Sequence, residues 1–249
     1  MNKVKYIIGV DEVGWLASKR RASPRYILGV DEVGRGPLAG PVTVCALLLQ
    51  GDYKLKTSVQ GGSAFGGKKQ KLKLRDSKKL TENQREEWFA WIKREKKEGR
   101  IYYSVVSIPP KTVDRINVTV SANCAAGRAI RNVLEKSGVN PKQVRIRLDG
   151  GIYPSLKTSA EGGPAFGGKI YSLKTVIKGD EKIPAISLAS IVAKVTRDRY
   201  MVRLAKRFPK YRFEKHKGYG TRMHRARIKK HGISPHHRLT FLKKYTTLG

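Results

Sequence analysis

The chain has 249 residues, 39% of them hydrophobic, with 53 Lys and Arg against 19 Asp and Glu and a formal net charge of +34. That length suffices for one large domain with a packed core, or one domain with an appendage, and the charge points to a polyanionic partner bound through its phosphates rather than to a merely soluble basic surface. Two cysteines in apolar stretches, Cys45 and Cys124, exclude a disulfide framework; the run Val42–Leu49 is too short to span a bilayer, and Asp11 and Glu12 stand where a signal peptide needs apolar residues, so a cytoplasmic protein is expected.

In chain order, two repeats come first. Tyr6–Gly14 recurs with one change as Tyr26–Gly34, at an offset of 20 residues, and Lys56–Lys68 recurs with three changes as Lys157–Lys169, at an offset of 101. Neither is a tandem array, which excludes a solenoid. Only the second copy of the first repeat runs on into a glycine loop, Gly34-Arg35-Gly36-Pro37, so it is assigned the first strand and residues 1–25 become an extension. The Gly-rich segments, about 56–69 and 157–169, lack the Gly-Lys-Ser/Thr ending of a phosphate loop and read as mobile surface insertions.

Residues 25–31 and 41–49 read as buried strands and 101–108 as a third. Thr81-Glu82-Asn83-Gln84 is a capping box opening a helix to about Lys97. Apolar residues from Ala122 to Leu134 recur at helical spacing, with Gly138 as terminator. Residues 144–149 alternate and end on an acid, Lys174–Lys178 reads as a short fifth strand, and Ile186–Arg207 as a long helix stopped by Pro209. The remainder predicts short basic helices: residues 197–244 hold 17 Lys and Arg against two acids, and all five histidines lie there. The class is α/β with a mixed sheet.

Three acidic points fall at apparent strand or loop ends: Asp31 with Glu32, Asp149 before Gly150-Gly151, and Asp180 after Lys178-Gly179. Each alone reads as a turn residue. Together, in so basic a chain, they suggest an all-oxygen site for hard ions, Mg²⁺ or Mn²⁺, facing a phosphate. A pair of such ions, roughly 3.5–4 Å apart, would activate water and stabilise the leaving oxygen of a phosphodiester.

These residues carry a family resemblance. Gly29–Val42, Leu74–Thr81, Leu148–Gly150, Lys178–Asp180, Ala189–Asp198 and Lys215–Thr221 resemble, in order, the motifs of bacterial ribonuclease HII, the type-2 ribonuclease H. The resemblance implies a ribonuclease H-like mixed sheet flanked by helices over residues 26–208, with a basic helical C-terminal extension over 209–249. It implies a metal-dependent endoribonuclease that hydrolyses the RNA strand of RNA–DNA hybrids, or cuts 5′ of one ribonucleotide in duplex DNA, leaving 3′-hydroxyl and 5′-phosphate ends. Asp31, Glu32, Asp149 and Asp180 match the catalytic, metal-holding carboxylates. Gly34, Arg35 and Gly36 match the loop that senses the ribose 2′-hydroxyl, the group that separates RNA from DNA. Tyr219 matches the tyrosine packed against the nucleotide after the ribonucleotide, and Ser77 and Lys78 fall in a further substrate-binding motif. A monomer without membrane attachment is implied. The alternative is a non-catalytic, nucleic-acid-binding relative inactivated by its insertions.

The chain departs from the family pattern at Gly151, where Asn or a similar residue is usual, at Arg212, where Gly is common, and over His237–Phe241. The histidines lack zinc-finger spacing and are expected to be solvated or phosphate-facing. Ser187 and Ser190 lack a nucleophile elbow and read as small helix residues under the sheet. Lys178 and Lys194 are candidates for phosphate or carboxylate contact, with solvation as the simpler expectation.

Overall fold

The computed structural model describes residues 26–50, 58–60, 71–154 and 172–246. The first copy of the duplicated strand and nearly all of both Gly-rich segments lie outside these residues. The exception is Ser58–Gln60, expected as part of a mobile insertion, which forms a strand paired antiparallel with Lys71–Lys73.

Strand β1 (Tyr26–Val33) is central in a five-stranded sheet. β2 (Val42–Gln50) pairs with it antiparallel on one side, and the strand Ile101–Ile108 pairs antiparallel with β2. On the other side Val144–Asp149 and then Ser172–Val176 add in parallel. Numbering the short Ser58–Gln60 and Lys71–Lys73 strands β3 and β4, the sheet order is β5-β2-β1-β6-β7. The second copy of the duplicated sequence therefore holds the central position. Strand β1 runs two residues beyond the expected end. Asp31, Glu32 and Val33 pair with Cys45, Val44 and Thr43, so both acids lie within the ladder. Strand β7 starts earlier than expected and ends before Lys178, which has turned to φ 55.

Alternation sorts the sheet's side chains onto two covered faces. Leu28, Val30, Val42, Val44, Ala46, Leu48, Ile146 and Leu148 pack under α3 (Val118–Ser137), which follows the short α2 (Pro110–Ile116). Cys45, Leu47 and Leu49 pack on the other face under α1 (Glu82–Lys97) and α5 (Pro184–Arg207), the latter preceded by α4 (Gly179–Lys182). The capping box is present as read: Thr81 Oγ1 accepts from Gln84 N–H, and Gln84 returns a carboxamide oxygen to Thr81 N–H. Gly138 ends α3 in the left-handed conformation. Helix α5 begins two residues early because Pro184 occupies its first turn, where no backbone donor is required.

In the basic C-terminal region α6 (Phe213–His216) and α7 (Arg222–His231) pack near a small core of Met201, Leu204, Tyr211 and Phe213, while Phe241 of α8 (Leu239–Thr246) packs on the α3 side of the sheet. Arg212 enters α6 at φ 55. This is the physical reason a glycine suits that position: a Cβ costs about 1–2 kcal/mol in the left-handed region, against a smaller entropy term for glycine. Arg212→Gly is expected to stabilise the fold by about 0.5–1 kcal/mol, read as a rise in Tm of roughly 1–4 °C. An unchanged or lower Tm would show that the strain is relieved elsewhere.

Candidate active site

Odd and even positions of β1 divide its acids. Asp31 shares the α5 face with Ile27 and Val33, and Glu32 shares the α3 face with Leu28 and Val30. The parallel register pairs Val30 with Leu148, which brings Asp31 beside Asp149 one residue on. Asp149 Oδ1 accepts the Gly179 N–H at 2.8 Å, tying the end of β6 to the start of α4 and so to Asp180. Ser187 on α5 donates to the Asp180 carbonyl and fixes that turn. Asp31, Glu32 and Asp149 thus lie side by side at the C-terminal ends of two adjacent parallel strands, with Asp180 beside Asp149 on α4, the usual place for a site in an open α/β sheet.

The cluster is electrostatically uncomfortable. Asp31 is 5% exposed, and burial, then the charges of Glu32 and Asp149, push its carboxyl well above the ordinary value. Burial raises Glu32, against the lowering effect of Arg35. Burial, then Asp149 and Asp76, raise Asp180. Glu32 Oε2 is buried without a hydrogen-bond partner. Among the described residues, the cations ion-paired with these acids are Arg35, 3.4 Å from Glu32, and Lys78, 3.8 Å from Asp180. Among the described residues no three Asp, Glu, His or Cys side chains close on one point at ligand spacing. The donor set nevertheless fits a hard divalent cation: it is all carboxylate oxygen, it carries an orphaned buried oxygen, and its members raise one another's proton affinity as a cation-seeking cluster must.

Around the acids the expected substrate residues divide. Gly34 (φ +88) is buried against Arg197, and an added Cβ would lie 2.3 Å from Arg197 Nε. Gly36 is exposed, with nothing within 4 Å of an added Cβ. Arg35 donates to Gly151 O and Thr119 Oγ1, each at 3.0 Å. Tyr219 is 40% exposed. Lys78 projects into solvent. Ser77 does not: it is buried, and its hydroxyl pairs with Ser190 at 2.7 Å beneath Asp31, so it supports the site from below. Ser187 and Ser190 are buried helix residues as expected. Lys194 pairs with Asp198 one turn along α5, and Lys178 is exposed.

Residues whose roles sequence reasoning did not assign hold the glycine loop and the Tyr219 loop together. Arg238, fully buried, donates to the carbonyls of Gly34, Arg35 and Gly40. Arg197, also fully buried, donates to Ala39, Pro41 and Lys217 and lies 5.8 Å from the Tyr219 ring. Asp76, quoted only within a motif, sits beside Asp180. The expectation that the histidines are solvated is corrected for His216, His224 and His237. They are buried among Tyr211 and Phe213 rings, and burial pushes His224 and His237 down to about 4.

The family model described as Ribonuclease HII matches residues 28–245. The chain belongs to the ribonuclease HII family. It is 38% identical over 215 residues to the ribonuclease HII of Caldicellulosiruptor bescii, covering 86% of this chain and 85% of that one. It is 38% identical over 208 residues to that of Ralstonia nicotianae, covering 84% and 73%. The fold matches the crystal structure of ribonuclease H2 from Pyrococcus horikoshii OT3, with a TM-score of 0.56 at 23% identity over 86% of this chain and 93% of that one. It also matches Bst-RNase HIII solved with Mn²⁺, with a TM-score of 0.60 at 15% identity over 91% and 70%. The enzyme is thus an endoribonuclease H acting on RNA–DNA hybrids, with divalent-metal dependence as its family has. No helix among the described residues is long and apolar enough to cross a membrane.

Proposed function

We propose that this ribonuclease HII cuts the phosphodiester 5′ of a ribonucleotide, including a single one embedded in duplex DNA, leaving 3′-hydroxyl and 5′-phosphate ends. The observation that carries the reading is the join between acids and reading loops. Arg35 contacts Glu32 on one side, and Arg197 links the Gly34–Pro41 loop to the Tyr219 loop on the other. A ribose at Gly34-Arg35-Gly36 would therefore lie next to the carboxylates, with the following sugar toward Tyr219.

Asp31, Glu32, Asp149 and Asp180 would hold Mg²⁺ or Mn²⁺, and a pair of such ions supplies charge stabilisation at the phosphoryl oxygens and activates the attacking water. The chain's own contribution is positional. Arg238 turns the carbonyls of Gly34 and Arg35 inward and fixes the loop's shape. Exposed Gly36 lets backbone approach a sugar closely. Tyr219 offers a flat face that a deoxyribose fits. The basic surface of α7, with Arg222, Arg225, Lys229 and Lys230 exposed, supplies phosphate attraction for the flanking duplex.

The test is cleavage of a DNA duplex carrying one ribonucleotide, with Mn²⁺ or Mg²⁺ and the ends mapped. A single cut 5′ of the ribonucleotide is expected. Cleavage of an all-DNA duplex, or metal-independent cleavage, would contradict it.

A further inference from the structure

Under Tyr219, three buried histidines have every ring nitrogen assigned by its neighbours. His216 Nδ1 accepts the Gly218 N–H at 3.2 Å, so its Nε2–H donates to the Tyr211 carbonyl at 2.9 Å. His237 Nδ1 accepts from Ser234 N–H at 2.9 Å and faces Ser234 Oγ at 2.8 Å, which puts its proton on Nε2. His224 Nδ1 lies 2.9 Å from the Tyr219 carbonyl, which only accepts, so His224 carries its proton there and leaves Nε2 bare. The donor and the acceptor so deduced face each other at 3.1 Å. One tautomeric arrangement satisfies all of these contacts, and it runs Ser234, His237, His224, Tyr219 carbonyl.

The chain of contacts ends at the Tyr219 carbonyl, which also accepts the Thr221 N–H at 2.8 Å, while the Tyr219 N–H donates to the His216 carbonyl at 2.9 Å. Tyr219 is 40% exposed, while His224 is fully buried and His237 is 2% exposed. Gly218 beside it has φ +87, and an added Cβ would lie 2.3 Å from the Ala39 carbonyl, so the Tyr219 loop is pressed onto the glycine loop. The glycine loop's amides bind it as well: Leu38 N–H donates to the Gly218 carbonyl at 2.9 Å and Ala39 N–H to the same oxygen at 3.3 Å. Burial keeps His224 and His237 neutral at working pH, the state in which each has one donor and one acceptor.

We propose that His237 and His224 are positioning residues for Tyr219: their hydrogen-bonded pair sets the height and tilt of the tyrosine, and with it the enzyme's preference for a deoxynucleotide 3′ of the ribonucleotide. Neither side chain reaches the surface. The inference rests on the reading of Tyr219 given above.

The experiment is a double-mutant cycle on selectivity, taken as kcat/KM for duplex DNA with one ribonucleotide divided by kcat/KM for a uniform RNA–DNA hybrid. His237→Phe keeps the ring but removes the donor to His224, and is expected to lower the ratio about ten-fold. His237→Gln places an amide N–H near the Nε2 position and is expected to restore most of it. In a Tyr219→Ala background, itself reduced in selectivity, His237→Phe is expected to lower the ratio no further. Should His237→Phe not fold, His224→Gln, which withdraws the donor from the Tyr219 carbonyl, carries the same cycle. An unchanged ratio in the histidine variant, or effects that simply add to that of Tyr219→Ala, would overturn the positioning role while leaving Tyr219 intact as a reader. An unchanged ratio in Tyr219→Ala alone would instead remove the reading of Tyr219, and the histidine role with it.

Discussion

Asp31→Asn is expected to remove cleavage and at the same time to stabilise the fold. Asp31 is buried in the central strand, and burial followed by Glu32 and Asp149 raises its carboxyl. The sign follows from linkage. The folded chain binds a proton that the unfolded chain has released, so stability falls as pH rises from the ordinary carboxylate value through the raised one. At neutral pH the charge is a net cost. Asn keeps an oxygen for the Glu32 N–H, which Asp31 Oδ1 accepts at 2.7 Å, and carries no charge. A gain of about 1–3 kcal/mol, or roughly 2–12 °C in Tm, is expected by thermal unfolding at neutral pH without metal. Cleavage in Mn²⁺ is expected to fall at least about 10³-fold, because the lost ligand removes several kcal/mol of charge stabilisation, while hybrid binding is largely kept. A destabilised variant that still cleaves would contradict both halves.

Arg238→Lys should have the largest effect on stability of any single change outside the apolar core. The guanidinium makes two bonds to Gly40 O, at 3.0 and 2.8 Å, and one each to Arg35 O and Gly34 O, at 2.9 and 2.7 Å. Burial, then the charge of Arg197, pushes it down to about 9, so it is still cationic at neutral pH. A lysine is a point charge on a flexible stem and cannot reproduce the planar fork. It would leave buried carbonyls unpaired, at about 1–3 kcal/mol each. A loss of about 3–5 kcal/mol is expected, seen as a fall in Tm of at least roughly 6 °C, together with loss of single-ribonucleotide cleavage as the glycine loop slackens. Wild-type Tm and selectivity in Arg238→Lys would show that backbone bonds alone hold the loop.

The contrast between these residues explains what could be read in advance. Strands β5 and β6, the Thr81 cap and the Gly138 terminator follow from local signals: alternation, a side-chain oxygen three residues before its partner, and a residue free to turn left-handed. The first strand was expected to end at Asp31, with Glu32 beyond it, yet the ladder to Cys45, Val44 and Thr43 carries both acids and Val33. The acids were legible as a set by type and by motif order. Arg197 and Arg238 were not, because a basic chain makes every arginine look like surface, and Arg238 meets Gly34 across 204 residues of sequence. The histidines misled for the same reason. Their lysine and arginine neighbours in α7 face solvent while His224 turns inward. Ser77 was legible as part of a motif but not as a buried partner of Ser190, a contact set by how the 3₁₀ turn before α1 lands on α5.

What most directly tests the central claim, that these carboxylates gather to hold cations against a scissile linkage, is Mn²⁺ titration followed by electron paramagnetic resonance, on the wild-type chain with bound RNA–DNA hybrid and on Asp31→Asn prepared the same way. The expected result is a closely spaced, magnetically coupled Mn²⁺ pair in the wild type that is lost in Asp31→Asn. Equal Mn²⁺ uptake by the two proteins would contradict the assignment.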